Sequence, residues 1–199
     1  MPVLVLASAS PRRRELLTRA GIDFEADPAD VDERSLPGES AEALVDRLAR
    51  LKASATAQRH PDRPVLGADT VVVVDGDVLG KPADQGDAER MLRRLSGRQH
   101  EVLTGLALAW RGEMHSHLER TDVWIRDLGE AELAWYLASG EPMDKAGAYA
   151  IQGLASRFVT RVDGSYSNVV GLPVAAVVAL LRRVGLAVDS AAPRPYPER

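Results

Sequence analysis

"VLVLASASPRRRELL", residues 3–17, decides the fold class. Val3 to Ala7 form a short, continuously apolar run, the composition of a strand covered on both faces. A helix start follows at once, with Ser10 as N-cap, Pro11 at the first helical position, and Leu16 and Leu17 as the first apolar turn. A buried strand feeding directly into a helix is the unit of an α/β protein. The same stretch poses a chemical problem. Arg12, Arg13 and Arg14 place cations at the positive end of the helix dipole, where acids are favoured. Each costs about 0.3–1 kcal/mol unless an anion sits there.

Further along, the alternation continues. The helix from Pro11 should end near Gly21, and the polar, proline-broken stretch 26–40 reads as a loop. A long helix follows from Ser40 to about Arg59, with Leu44, Leu48, Leu51 and Ala55 as its apolar stripe. "PVLGADTVVVVDGDVLGKP" (64–82) reads as a buried strand, a hairpin turn at Asp75-Gly76 and a short return strand. The helix "DAERMLRRLSG" presents Ala88, Met91, Leu92 and Leu95 on one face and stops at Gly97. Strands are expected over 101–110 and 120–128 around a turn at Arg111-Gly112, then a helix ending at Gly140. Residues 141–173 read as loop-rich, before a last helix from about Pro173 to Val184. With no internal repeat and no linker, one domain over 1–188 is expected. The proline-rich tail 189–199 has almost no apolar mass and should be disordered.

Composition narrows the partners. The chain has 199 residues, 45% of them hydrophobic and 27% charged, with a net charge of -4. That balance gives no basic surplus for bulk binding of nucleic acid or an anionic membrane, so any anion site must be a local concentration of cations. The chain has no cysteine, which excludes thiolate chemistry and fits a reducing cytoplasm. No apolar run approaches the length of a membrane span, and "MPVLVLASAS" lacks the basic start of a signal peptide.

Several charges sit where a purely structural protein would avoid them. Asp69 interrupts an otherwise apolar strand, so it must be paired, bound to metal, or at a strand end facing a cleft. Lys52 flanks the apolar stripe of its helix, either with its amine in water or turned into a site. Lys81 stands in a stiff Gly-Lys-Pro turn that could aim an ammonium at phosphate or simply be exposed. Glu33, in the run 30–33, is either a solvated loop acid or a partner of Asp69 around a hard cation. His115 and His117 share a strand face without further metal ligands, and the three tryptophans read as core or interface. The misplaced charges together suit a polyanion bound through a divalent metal, with a helix N-terminus beside it. A nucleoside triphosphate is the commonest such ligand.

The blocks "LASASPRRRELL", "VDE" (31–33), "RLARLKA" (47–53), "GADTVVVVDGDVLGKP" (67–82), "MLRRLSGR" (91–98), "EPMDKAGAYAIQG" (141–153) and "DGSYSNVVGLP" (163–173) resemble the Maf family of nucleoside triphosphate pyrophosphatases, in family order over about residues 3–185. The resemblance implies an elongated mixed sheet flanked by helices, similar to inosine triphosphatases, with a cleft between two lobes and usually a homodimer. It also implies hydrolysis of a nucleoside triphosphate to monophosphate and pyrophosphate with a divalent cation, Mg²⁺ or Mn²⁺. Asp69 matches the family's proton-accepting acid. Arg12, Thr70 and Gln152 match the base-selecting positions of the branch acting on dTTP and UTP rather than 7-methyl-GTP. Ser8, Arg13, Glu33, Lys52 and Lys81 match polar positions lining the cleft. In that reading Asp69 and Glu33 hold the metal while Arg13, Lys52 and Lys81 stabilise charge on the leaving group, and the anion missing at Arg12 and Arg13 is a pyrimidine triphosphate. Arg14 remains a solvated charge. A non-catalytic nucleotide-binding regulator of cell division is the competing expectation.

Overall fold

The computed structural model describes residues 3–186 and 188. It is a mixed α/β structure built on one seven-stranded sheet. Strand β1 (Leu4–Leu6) pairs in parallel with β2 (Phe24–Ala26) on one side and with β3 (Val65–Val74) on the other. From β3 the sheet continues antiparallel through β5 (Gln99–Trp110), β6 (Glu113–Ile125) and β7 (Val159–Asp163). The short strand β4 (Asp77–Leu79) returns along β3 through the expected turn, where Asp75 and Gly76 both have positive φ, 53° and 81°.

Side-chain alternation along β3 and β5 sorts the core. Val65, Val71, Val73, Leu103 and Ala107 face helix α2 (Ala41–Ala57), which covers one side of the sheet. On the opposite side, Leu66, Ala68, Leu106 and Leu108 pack against α1 (Pro11–Arg19) and α6 (Val174–Arg183). On that same side, Val72, Val74 and Val102 pack against α3 (Gln85–Leu95) and α4 (Glu130–Ala138). Thr70 and Thr104, paired across β3 and β5, stand between these two clusters. The two cores are separated by a polar seam.

Two glycines seat α2. A Cβ on Gly67 would lie 2.1 Å from the Ala49 carbonyl oxygen, and one on Gly105 would lie 2.3 Å from that of Val45. The helix backbone therefore rests directly on the sheet.

Several expectations need correction. The buried face of α2 is Leu44, Val45, Leu48, Ala49, Lys52, Ala53 and Thr56, whereas Leu51 is 41% exposed. The face turns because the glycines draw the Ala49 and Ala53 side inward. Strand β6 begins at Glu113, directly after the Arg111-Gly112 turn, because its polar residues pair backbone to backbone with β5 whatever their side chains. The 24–26 segment is an edge strand, and the loop-rich 141–173 region contains β7 and the short helix α5 (Tyr166–Val170). Trp135 is exposed, and Arg157, Arg161 and Arg111 cover the rings of Trp135, Trp124 and Trp110. No described helix is long and apolar enough to cross a membrane. The tail expected to be disordered, 189–199, lies outside the described residues.

Candidate active site

Strand β1 pairs with β3 only at Val65 and Leu66, and β4 pairs with the same edge only from Val72. Between them, residues 67–71 of β3 have no strand on that side among the described residues, although β5 pairs along the other edge throughout. Asp69 and Thr70 lie in this gap. Because they are adjacent in a strand, their side chains leave by opposite faces of the sheet. Ligand sites of open α/β sheets form at such interruptions beyond the ends of parallel strands.

On the α2 face, Asp69 is buried and Lys52 is buried opposite it. The Lys52 ammonium donates to Asp69 Oδ1 at 2.7 Å and meets Glu33 Oε1 at 2.8 Å. One ammonium thus holds a buried carboxylate and a half-exposed one together. The Lys52 amine is not in water. The α2 backbone resting on Gly67 and Gly105 sets this distance, since Gly67, Asp69 and Gly105 share the face that the helix touches.

Glu33 comes from the loop between β2 and α2, which is itself fastened. Glu39 receives Arg47 Nε at 2.6 Å and Nη2 at 2.8 Å, together with the Leu36 amide at 3.0 Å. Arg47 also donates to the Arg34 carbonyl. Hydrogen bonds from Arg47 and then from Leu36 bring the Glu39 carboxyl down to about 2.

On the opposite face, α1 opens into the gap. Ser10 caps the helix by accepting from the Arg13 amide, as the sequence indicated. The Arg13 guanidinium is buried. It donates to the Gly171 carbonyl at 2.8 Å, the Ala68 carbonyl at 2.7 Å, Ser8 Oγ at 3.2 Å and Thr70 Oγ1 at 3.1 Å. Burial lowers its pKa, while the nearby charges of Asp69 and Glu33 oppose that shift. Arg13 therefore feels the carboxylates across the sheet edge while bonding to neutral acceptors.

Arg12 has an anionic partner within the chain. Its guanidinium donates to Asp144 Oδ2 at 3.0 Å and to the Asp144 carbonyl at 3.3 Å. Lys145 also bonds to the Asp144 carboxylate and to the Glu141 carbonyl. Burial pulls the Asp144 carboxyl up, but hydrogen bonds from Lys145 and Arg12 outweigh that and hold it below its usual value. Arg14 is exposed, as expected.

The 141–153 loop reaches the gap from the β4 end, where the Gly147 amide donates to the Gly80 carbonyl at 3.0 Å. That bond places exposed Lys81 beside the loop; among the described residues Lys81 has no ion pair. Gln152 is exposed in the same loop. Glu141 fixes the loop by accepting from Tyr136 Oη at 2.8 Å and from the Leu154 and Ala155 amides. The chain's three lysines, Lys52, Lys81 and Lys145, thus all stand around the gap, among 25 Lys and Arg in total.

Glu141, Asp144, Lys145 and Thr104 were missed by sequence reasoning. Thr104 carried the same signal as Asp69, a polar residue inside the apolar run "VLTGLALA". His115 and His117 bond to Glu113 and Glu119, and no group of three or more potential ligands gathers among the described residues. A broad hollow between the α2 start and the β3–β4 turn is lined by Glu39, Glu42, Asp75 and Glu101, each of which is paired with an arginine.

Comparison with known proteins agrees in direction. A family model described as Maf-like protein matches residues 3–184. The dTTP/UTP pyrophosphatase of Myxococcus xanthus (strain DK1622) is 56% identical over 184 residues, covering 92% of this chain and 93% of that protein. The dTTP/UTP pyrophosphatase of Anaeromyxobacter dehalogenans (strain 2CP-C) is 55% identical over 188 residues, with 92% and 95% covered. That of Symbiobacterium thermophilum is 52% identical over 187 residues, with 93% and 95% covered. Among solved structures, the Staphylococcus aureus Ham1 protein aligns with a TM-score of 0.53 at 15% identity, over 91% of this chain and 98% of that one. That likeness concerns the fold alone.

Proposed function

The chain belongs to the Maf-like family, and from that membership we propose that it hydrolyses dTTP and UTP to the nucleoside monophosphate and pyrophosphate. The carrying observation is the buried Lys52 ammonium between Asp69 and Glu33 at the sheet gap, in a chain whose relatives are named for this reaction. The regulator reading is not favoured, because the relatives that the chain resembles over nine-tenths of its length are named for hydrolysis.

Water attacks the α-phosphorus in line, a new P–O bond forms, and the bond from that phosphorus to the bridging oxygen breaks as pyrophosphate leaves. Asp69 accepts the proton of the attacking water. Lys52 orients Asp69 and Glu33 and stabilises charge on the phosphates. Lys81 is free to meet the leaving phosphates, and Arg12 can exchange Asp144 for the same charge. Ser8 and Arg13 hold the wall of the site between Ala68 and Gly171. Gln152 would hydrogen-bond a pyrimidine edge, and a site with polar groups left unpaired by the wrong base discriminates well. Thr70 belongs to that selecting wall.

Asp69 and Glu33 fit a divalent cation. Both are hard carboxylate donors, they converge on one ammonium, and each meets it through one oxygen. They would supply part of a Mg²⁺ or Mn²⁺ shell, which substrate oxygens would complete. A cation bound there would neutralise phosphate charge. The same reading takes the chain to work as a homodimer in the cytoplasm.

The test is pyrophosphate release from dTTP, UTP, CTP and GTP with Mg²⁺ or Mn²⁺. Release from dTTP and UTP is expected, and Asp69→Asn should abolish turnover while nucleotide binding persists. The fold should survive, because Lys52 keeps Glu33 and an amide oxygen as partners. Retained turnover in Asp69→Asn would overturn the role given to that carboxylate.

A further inference from the structure

Thr70 Oγ1 has three neighbours at hydrogen-bonding distance. Arg13 Nη2 lies at 3.1 Å, the Gly171 carbonyl at 3.2 Å and Thr104 Oγ1 at 2.8 Å. A hydroxyl has one proton and two lone pairs. The guanidinium can only donate, so it occupies one lone pair. The Gly171 oxygen can only accept, so it takes the proton. Thr104 must then donate into the second lone pair. The Thr70 hydroxyl is saturated by the protein and has no capacity left for a base. The Gly171 carbonyl also accepts Arg13 Nε at 2.8 Å, which closes a ring of guanidinium, carbonyl and hydroxyl. Gly171 ends α5 with φ of 125°, a conformation that favours glycine.

Resting on the pyrophosphatase reading above, we propose that Thr104 is a positioning residue for base selection. It fixes the proton direction of Thr70, and Thr70 acts by holding the Gly171 wall and Arg13 rather than by touching the base. Thr104 is fully buried, in the seam between the two apolar clusters on its side of the sheet, so its hydroxyl serves Thr70 and not solvent. Without it, the Thr70 hydroxyl loses its fixed proton direction, and its hold on the Gly171 carbonyl and Arg13 loosens. A wall that yields in this way discriminates less between uracil, with its carbonyl, and cytosine, with an amine in that place.

The experiment compares wild type, Thr104→Val and Thr104→Ser in steady-state kinetics with UTP and CTP, alongside equilibrium binding of both nucleotides. Thr104→Val should lower the UTP-to-CTP ratio of kcat/KM about 2- to 10-fold, the span of one hydrogen bond, with the change carried by KM. Thr104→Ser, which keeps the hydroxyl, should restore the ratio. If Thr104→Val does not fold, Thr104→Ala replaces it. An unchanged ratio, an equal loss on both substrates, or failure of serine to restore it would overturn the proposal. Wild type that releases no pyrophosphate from dTTP or UTP overturns the parent reading instead, and the binding ratio then still decides on Thr104. A chain that binds neither nucleotide overturns both.

Discussion

Glu39 anchors the loop that delivers Glu33, and its protonation sets an acid limit on that loop. Its folded value of about 2 lies below the ordinary 4.5, so the ionised form is the one the fold favours. The contribution is complete above about pH 4.5 and is lost as pH falls toward 2. Hydrogen exchange across residues 28–40 should quicken over that window, and Glu39→Gln should exchange quickly already at neutral pH with little acid dependence left. Unchanged exchange in Glu39→Gln would show that Arg47 holds the loop without it. At this scale the sequence was unevenly readable. Asp69 stood out because a charge in an apolar strand needs a reason. Lys52 stood out less sharply, because a helical wheel built on Leu51 and Ala55 leaves it on the flank of the stripe, and only contact with the sheet reveals that it is buried. Asp144 was invisible as the partner of Arg12, since 132 residues separate them and nothing local encodes the meeting.

Among the elements, α2 carries the tightest constraint. The backbone contacts at Gly67 and Gly105 leave no room for a methyl group. Gly67→Ala should push the helix off the sheet, costing about 1–3 kcal/mol as overpacking does, and should draw Lys52 away from Asp69. Urea unfolding measures the first effect and pyrophosphate release the second. Gly129→Ala is the control, because a Cβ there meets nothing within 4 Å and its φ of -76° suits alanine. A Gly67→Ala protein with wild-type stability would refute the seating. Helices and the long strands β3 and β5 were legible from periodicity, including α1 with its Ser10 cap and α3 with its buried Ala88, Met91, Leu92 and Leu95, whereas the polar first half of β6 was not. Strand β2 and helix α5 were not, since they span three and five residues and depend on partners distant in sequence.

Across the whole molecule, one sheet is wrapped by α2 on one face and by two apolar clusters on the other. The class of this arrangement was readable from the alternation of elements, but strand order and the gap in β3 were not. The gap arises because β1 is three residues long and β4 pairs only from Val72, and neither length is written in any local pattern. The position of all three lysines around that gap has a practical consequence. An amine-acylating reagent has only these side chains and the terminal amine to react with. Exposed Lys81 should acylate first, and Lys145 and Lys52, with side chains 16% and 8% exposed, should lag. Intact-mass and peptide mapping with and without UTP would then read occupancy of the site directly, as a count of protected amines, with no turnover required.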